Sequence, residues 1–324
     1  MSLRGKYILA SVLLLITLLL ALAGGEWREF GAFVSGNADN EVNTIFLHIR
    51  LPRVLGAAVS GVLLAAAGCT VQLLFRNPLS SPHVIGSVNA AALGAVGVMA
   101  LGIHSLWGMF GGSCLGALAA LWLLLTLPRS RGGIAVLLLA GVALNAFASA
   151  AVSGILFIAG ERLEGLIFWL LGGFWKLDWE SMILLLTVIA LLMPALIAIR
   201  REMNMLYLGE NAARHAGVDT NRVIFVSVIC SALATAAVVG CCGVIGFVGL
   251  LVPHIARRIF GSDFALHLAG AGLTGAILMA AADYAARSIF APLEMPVGVL
   301  TSLIGAPFFA VLILRCLKRG ASEI

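Results

Sequence analysis

The sequence predicts an all-α membrane protein that crosses the bilayer about ten times. Two observations support this prediction. The chain is 61% hydrophobic but only 11% charged over 324 residues, and its apolar residues form long runs with charges at their ends. A soluble domain carries about a quarter charged residues, so this chain has too few polar side chains to cover a water-soluble globule. Its 37 glycines suit helices that approach one another closely in lipid.

The predicted spans are apolar runs that, as helices, approach the hydrocarbon thickness of about 30 Å. In chain order they cover residues 7–25, 51–75, 84–104, 107–127, 134–158, 179–199, 222–241, 243–256, 265–286 and 296–314. The eighth run is short, and only residues 240–246 separate it from the seventh, so a count of nine stays open. Glycines recur there at every third position from 240 to 249, which favours a break at membrane depth.

The first run follows Arg4 and Lys6 and ends near an Ala-Leu-Ala sequence that resembles a signal-peptidase site. Its apolar stretch is longer than a usual signal-peptide core, so we expect a retained helix. With the amino terminus inside, ten spans leave six of the twenty basic residues outside. These six are Arg28, Arg50, Arg53, Arg162, Lys176 and Arg287. The bias predicts that both termini are cytoplasmic.

The second and fourth runs have features that predict how they pack and where they end. The second is uncharged from Val54 to Phe75. Pro52 and Pro78 fall in its first turn and in the loop after it, where neither removes a helical hydrogen bond in lipid. In the fourth run, glycines recur at positions 108, 112 and 116, which predicts a face that packs closely against another helix.

No enzyme motif is present in the sequence. The six histidines are isolated, and the sole Gly-Lys pair, Gly5-Lys6, lacks the upstream glycine of a phosphate-binding loop. The six cysteines show no C-x-x-C spacing and are interpreted as buried thiols, so we expect no catalytic residue and no metal site. The basic residues are spread at the ends of apolar runs, which argues against a nucleic-acid partner.

Three groups of polar residues are candidates for function. Asp283 and Arg287 are four residues apart on one helical face; they form an ion pair, or Arg287 joins Arg50 and Arg53 in an exposed basic surface that receives acidic groups. Residues 199–222 predict one or two short helices against another protein, with a solvated connector as the alternative. Residues 161–180 mix acids with tryptophans and predict an interfacial helix or a pore mouth.

Several motifs together resemble the FecCD family of ABC importer permeases. They are IRLPR at 49–53, LFRNPLSSPHVIG at 74–86, LLLAGVALN at 137–145, MNMLYLGENAARHAGV at 203–218, GVIGFVGLLVPHIARR at 243–258 and MPVGVLTSLIGAPFF at 295–309. The resemblance covers nearly the whole chain. It implies the type II ABC importer permease fold, with residues 1–324 forming a single transmembrane domain and 199–222 a cytoplasmic coupling segment within it.

The resemblance also implies partners and residue roles. A second copy of the chain, two cytoplasmic ATPase subunits and an extracytoplasmic substrate-binding protein would complete the transporter, with ATP and magnesium on the ATPase and no cofactor in this chain. Arg50, Arg53 and Arg287 would contact acidic residues of the binding protein. The ATPase-coupling residues would be Leu208, Gly209, Glu210, Ala213, Arg214 and Gly217. The cytoplasmic gate would comprise Asn77, Pro78, Asn89, Gly133, Ile134 and Ala135.

The function implied is a permease subunit for a bulky metal chelate, an iron-siderophore or haem, in the bacterial cytoplasmic membrane. Cobalamin is the alternative cargo within the family. The second gate region of the cobalamin relatives is polar, whereas residues 132–135 here read Gly-Gly-Ile-Ala. An ion-coupled secondary transporter is the alternative of another class, for which Asp283 would be the nearest available carboxylate.

Overall fold

The computed structural model describes residues 2–126, 133–159, 163–289 and 291–320, and the regular structure in these ranges is helical. A six-residue π-helical segment, Ile45–Arg50, continues α3 into α4. The helices are α1 (Leu3–Ala23), α2 (Trp27–Val34), α3 (Asn40–Thr44), α4 (Leu51–Leu74), α5 (Ser87–Ala100), α6 (Leu106–Thr126), α7 (Gly133–Ala159), α8 (Leu163–Leu170), α9 (Trp179–Ala198), α10 (Arg200–Leu208), α11 (Glu210–His215), α12 (Thr220–Cys242), α13 (Val248–Phe260), α14 (Phe264–Ser288) and α15 (Val297–Gly320).

Each of the ten predicted spans corresponds to a helix, so the all-α polytopic fold is confirmed. Within the described residues, seven helical stretches are long and apolar enough to cross a membrane: Leu3–Ala23, Asn40–Leu74, Leu106–Thr126, Leu139–Ala159, Trp179–Ala198, Thr220–Cys242 and Phe264–Ser288. Ser87–Ala100 and Val297–Leu312 are apolar but shorter. The predicted span at 243–256 contributes only the 13-residue α13, which is too short to cross the bilayer as one helix.

The interior of the bundle is built around α4 and α12, which contact each other and are the most deeply buried of the long helices. Their buried faces are rich in small residues. A Cβ atom at Gly61 would collide with the backbone of Gly275 on α14, and one at Gly68 would collide with the backbone of Gly249 on α13. These two glycines therefore set how closely the helices around α4 can pack.

The glycine face predicted for α6 forms the contact with α5. A Cβ atom on Gly112 would come within 2.5 Å of the carbonyl oxygen of Gly94, and one on Gly116 would collide with that of Ala90. Gly108 faces Ser105 and the end of α5. The prediction of close helix packing is confirmed, and it explains why small residues occupy this face.

Aspartates cap the N-termini of three long helices. Asp178, Asp219 and Asp263 each accept the backbone N–H of the residue three positions later, at 2.9, 3.1 and 3.2 Å. An acceptor at this position satisfies an N–H that has no partner inside the helix and fixes where the helix begins. The caps define the first residues of α9, α12 and α14.

The predicted break at membrane depth lies between α12 and α13. The residues from Gly243 to Phe247 are not helical, and φ is 74° at Gly243 and 63° at Phe247. A positive φ is unusual at a phenylalanine because its Cβ crowds the backbone. The seventh and eighth apolar runs thus form two separate helices, joined by an irregular segment beside α15, where Phe247 contacts Gly305.

Candidate functional site

Arg53, in the first turn of α4, is held by two carboxylates from other parts of the chain. Its Nε donates to Oδ1 of Asp283 on α14 at 3.0 Å. Its Nη1 and Nη2 lie 3.2 and 3.0 Å from the two carboxylate oxygens of Glu294. The planar guanidinium matches a carboxylate with two parallel contacts, which is the strongest geometry for such a pair. Arg53 therefore joins α4, α14 and the loop before α15.

Arg50 lies one turn earlier and is held by the end of α1. Its Nη1 donates to the carbonyl oxygens of Ala23 at 2.9 Å and Leu22 at 3.3 Å. Its Nη2 pairs with the carboxylate of Glu26, and the guanidinium carbon lies 4.6 Å from the centre of the Phe46 ring. These contacts satisfy carbonyls that the α1 helix leaves without an internal partner.

Arg287 completes the cluster from α14. Its Nη2 donates to the carbonyl oxygen of Ala21 at 2.9 Å, and its Nε lies 3.2 Å from Oδ2 of Asp283. The ion pair predicted as one interpretation of the Asp283 and Arg287 spacing is therefore present. Asp283 is only 1% exposed and lies between Arg287 and Arg53, so it is not the free carboxylate that an ion-coupled carrier would require.

The structure brings the three predicted docking arginines together, but the expectation of an exposed basic surface is wrong. The side chains of Arg50, Arg53 and Arg287 are 15%, 10% and 14% exposed. The carboxylates of Glu26 and Glu294 are 50% and 44% exposed and cover the arginines. The sequence-based expectation failed because these partners are distant in sequence from the arginines they neutralise. Whether the cluster receives a partner protein remains a prediction.

The predicted coupling segment forms two short helices, α10 and α11, at the opposite end of the bundle. Gly209 separates them with φ 134° and ψ 146°, a conformation that is open almost only to glycine. Ala213 is the buried residue of α11, whereas Leu208 at the end of α10 is 72% exposed. Gly217 follows α11 with φ 81°. The segment is therefore helical, and its contact with another protein stays a prediction.

Polar contacts fix the surface of the coupling segment and attach it to α14. Nη2 of Arg214 lies 2.7 Å from Oε1 of Glu210, one turn away. Asn204 on α10 donates to Oδ2 of Asp263 at 2.7 Å and accepts the backbone N–H of Phe264 at 2.8 Å. Because Asp263 also caps α14, α10 and α14 share one hydrogen-bonded corner.

The predicted gate residues lie in two places at the same end of the bundle as α10. Asn77 Oδ1 accepts the backbone N–H of Leu79 at 2.9 Å, which closes the turn that contains the exposed Pro78. Asn89 on α5 donates to Ser149 on α7 at 3.3 Å. Gly133, Ile134 and Ala135 form the first turn of α7, and their side chains lie outside the described part of the structure.

An apolar cavity of about 560 Å³ lies beside the break between α12 and α13. Its walls include Val244, Phe247, Leu303 and Ser302, together with His83 from the loop before α5. Burial lowers the pKa of His83, because the charged imidazole loses hydration. The cavity thus has mainly apolar walls.

Three residues of these sites were not selected from the sequence. Glu294 directly precedes the MPVGVL motif, and its acidic side chain next to an apolar run was an available signal. Glu26 follows the first predicted span and is expected on the same side of the membrane as Arg50, which was a weaker signal. His83 lies inside the LFRNPLSSPHVIG motif, but its place on a cavity wall depends on the path of residues 243–247.

A helical bundle with glycine-mediated packing, seven helical stretches of spanning length and a broken helix beside an apolar cavity defines a polytopic membrane protein. Residues 9–315 match the family model described as the FecCD transport family, and the chain belongs to this family. The sequence-based identification is therefore confirmed, and a membrane translocation subunit is the class of protein that this family defines.

Two characterised relatives match along nearly their whole length. The chain is 38% identical to the hemin transport system permease protein HmuU of Yersinia pestis over 317 residues, which is 94% of each protein. It is 37% identical to the vitamin B12 import system permease protein BtuC of Salmonella typhi over 314 residues, covering 95% of this chain and 94% of that protein.

Solved structures support the same fold. A metal-chelate type ABC transporter in an inward-facing conformation superposes with a TM-score of 0.84 and 31% identity, covering 97% of this chain and 98% of that one. This match confirms the predicted permease fold. PsaBC from Streptococcus pneumoniae matches with a TM-score of 0.62 at 14% identity, a likeness that concerns the fold alone.

Proposed function

We propose that this chain is the membrane subunit of an ATP-driven importer for a bulky metal chelate, with haem or an iron-siderophore as its cargo. The observation that carries the proposal is the 38% identity to the hemin permease, which extends over 94% of both proteins. Cobalamin is the second candidate, because the identity to the vitamin B12 permease is 37% over a similar length. Both cargoes are large metal complexes.

The proposed transporter contains two copies of this chain, two cytoplasmic ATPase subunits that bind ATP and magnesium, and an extracytoplasmic binding protein. It lies in the bacterial cytoplasmic membrane with both termini of this chain in the cytoplasm. Two features favour an external ATPase: the sequence lacks a phosphate-binding loop, and α10 ends in the exposed Leu208, an apolar side chain suited to a protein groove.

The α10 end of the bundle is the proposed contact for the ATPase. Its chemistry combines an apolar side chain, Leu208, with the paired charges of Glu210 and Arg214. Closure of the ATPase subunits would move α10 and α11. Because Asn204 bonds to Asp263, α14 would follow this movement, and the nearby turn at Asn77 and Pro78 is the proposed gate. Asn89 and the start of α7 complete that gate.

The Arg53 end is the proposed contact for the binding protein. Arg50, Arg53 and Arg287 lie together there, and a guanidinium is well suited to paired contacts with a carboxylate. The cargo released at this end would pass along mainly apolar walls such as the cavity beside Phe247. Walls of this kind hold a bulky chelate weakly, which allows release on the other side.

The decisive experiment is uptake by proteoliposomes that contain this chain, its ATPase and its binding protein. We expect ATP-dependent uptake of haem or a ferric siderophore, and none when a non-hydrolysable ATP analogue replaces ATP. Preferential uptake of cobalamin would select the second candidate. Uptake by the chain without the ATPase, driven by an ion gradient, would overturn the proposal in favour of a secondary transporter.

A further inference from the structure

We propose that Glu294 and Glu26 occupy the arginine cluster in place of a partner's carboxylates, and that the binding protein docks by exchanging its own acidic groups for them. The inference rests on the proposed docking role of Arg50 and Arg53. It adds that the free permease covers its own docking site. The partner is therefore a protein surface with at least two carboxylates spaced to reach both arginines.

The carboxylates of the cluster fall into a fixed member and two removable members. Asp283 is buried between Arg53 and Arg287 and belongs to a long helix, so it cannot leave without unpacking α14. Glu294 and Glu26 lie instead in loops at the ends of α14 and α1, with about half of each side chain in contact with solvent. Solvent reaches the carboxylate side of these two pairs and screens them, so they exchange more easily than the buried pairs of Asp283.

Arg53 cannot receive a partner's carboxylate while Glu294 is in place. Its Nε is directed to Asp283, and both Nη atoms face the two oxygens of Glu294. The guanidinium has five N–H donors in one plane, and this arrangement occupies both of its open edges. An incoming carboxylate must therefore displace Glu294 rather than add to it. At Arg50, Nη1 bonds to carbonyls and Nη2 pairs with Glu26, so a partner's carboxylate would compete with Glu26 for Nη2.

Glu294 has space to move away from Arg53. Its side chain also lines a cavity of about 370 Å³ together with Trp169, Trp175 and Lys176. A carboxylate that leaves Arg53 can remain on this side of the loop, where the ammonium group of Lys176 offers a second cation. Because the other walls of this cavity are largely aromatic, the displaced carboxylate has to stay on the solvent side, beside the exposed Lys176.

The exchange would also act on α15. Glu294 lies three residues before Val297, the first residue of α15. The backbone N–H of Gly298 donates to the carbonyl oxygen of Gly172 at 3.1 Å, and a Cβ atom on Gly298 would reach the carbonyl oxygen of Val244. Release of Glu294 thus frees a loop whose next residues touch the broken segment beside the cavity.

The test is binding of the cognate binding protein to the permease and ATPase complex in lipid nanodiscs at low salt. We expect Glu294→Gln and Glu26→Gln each to increase affinity about fivefold, because each removes a competing carboxylate and leaves the arginine. Glu41→Gln is the matched control: Glu41 is an exposed acid on α3 that forms no ion pair within the described residues. It should give a smaller increase that reflects net charge alone.

A gain for Glu294→Gln and Glu26→Gln no larger than that for Glu41→Gln, or a loss of affinity, would overturn the exchange. Glu294→Asp is a second variant whose shorter side chain should give an intermediate gain. Arg50→Glu tests the docking role separately, with thermal unfolding as a check on folding. If Arg50→Glu weakens binding while the glutamine variants do not differ from the control, docking stands and the exchange fails. Unchanged binding by Arg50→Glu in a folded complex would refute the docking role itself.

Discussion

Nε and Nη2 of Arg53 both lie 3.0 Å from one oxygen of Asp283, in a pair that joins α4 to α14. The other oxygen of Asp283 lies 3.2 Å from Arg287, so one buried carboxylate serves two arginines. A buried charge is tolerated when its opposite charges are held in place, and removing one member leaves the others without compensation. The Arg53–Asp283 pair therefore stabilises the contact between α4 and α14, in addition to being part of a candidate docking site.

The first prediction concerns how much the ion pairs of Asp283 contribute to stability. Asp283→Ala leaves Arg53 and Arg287 without their shared counter-charge, and we expect a loss of about 3 kcal/mol in the free energy of unfolding. Thermal unfolding in detergent would measure the loss. Glu294→Gln is the control and should cost less, because Glu294 is half-exposed and Arg53 keeps Asp283 as its counter-charge. Similar losses for the two variants would contradict the fixed role assigned to Asp283.

The second prediction concerns the contact between α5 and α6. A methyl group on Gly116 would collide with the carbonyl oxygen of Ala90, so Gly116→Ala must separate the two helices. We expect it to lower the free energy of unfolding by about 1–3 kcal/mol. Gly111→Ala, in the same helix, places its methyl group in open space and should be neutral or slightly stabilising. Equal behaviour of the two variants would contradict the packing.

The third prediction concerns the link between the coupling helices. Gly209 has φ 134° and ψ 146°, where an L-residue is strained by about 1–3 kcal/mol. Gly209→Asn should therefore shift α11 relative to α10 and reduce both co-purification of the ATPase and uptake. Gly217→Asn is the control, since asparagine tolerates the left-handed conformation near φ 81°. If both variants keep full uptake, the link has no mechanical role.

The fourth prediction separates helix stability from ATPase coupling. Glu210 and Arg214 form an exposed pair one turn apart, which contributes only about 0.3–0.5 kcal/mol. The double variant Glu210→Arg with Arg214→Glu keeps the ion pair but reverses the positions of its two charges on the surface proposed to meet the ATPase. We expect near-normal thermal stability but ATP hydrolysis uncoupled from uptake. Normal transport by this double variant would show that these charges do not contact the ATPase.

The helical fold was predictable because each apolar run must form a helix to satisfy its backbone in lipid. The Asp283 and Arg287 pair was also predictable, since a spacing of four residues lies on one helical face. The burial of Arg53 could not be predicted, because its two carboxylate partners are 230 and 241 residues away in sequence. Local patterns identify which side chains are charged, but only the folded chain decides which of them neutralise one another.

The short length of α13 also could not be predicted from the local sequence. The run at 243–256 is apolar enough to suggest a span, and its glycines correctly indicated a break. The position of that break depends on Gly243 and Gly298, which approach backbone carbonyls of neighbouring segments. Such contacts with distant parts of the chain cannot be inferred from hydropathy along one run.

The helix α14 is bonded near one end to Asn204 through Asp263 and near the other to Arg53 through Asp283. It contains 25 residues and no proline, so it resists bending along its axis. Any displacement of α10 that preserves the Asn204 bond must therefore tilt or shift a rod whose far end holds the arginine cluster. We therefore expect a shift of α10 to change the distances between Arg53, Asp283 and Arg287 at the far end of α14.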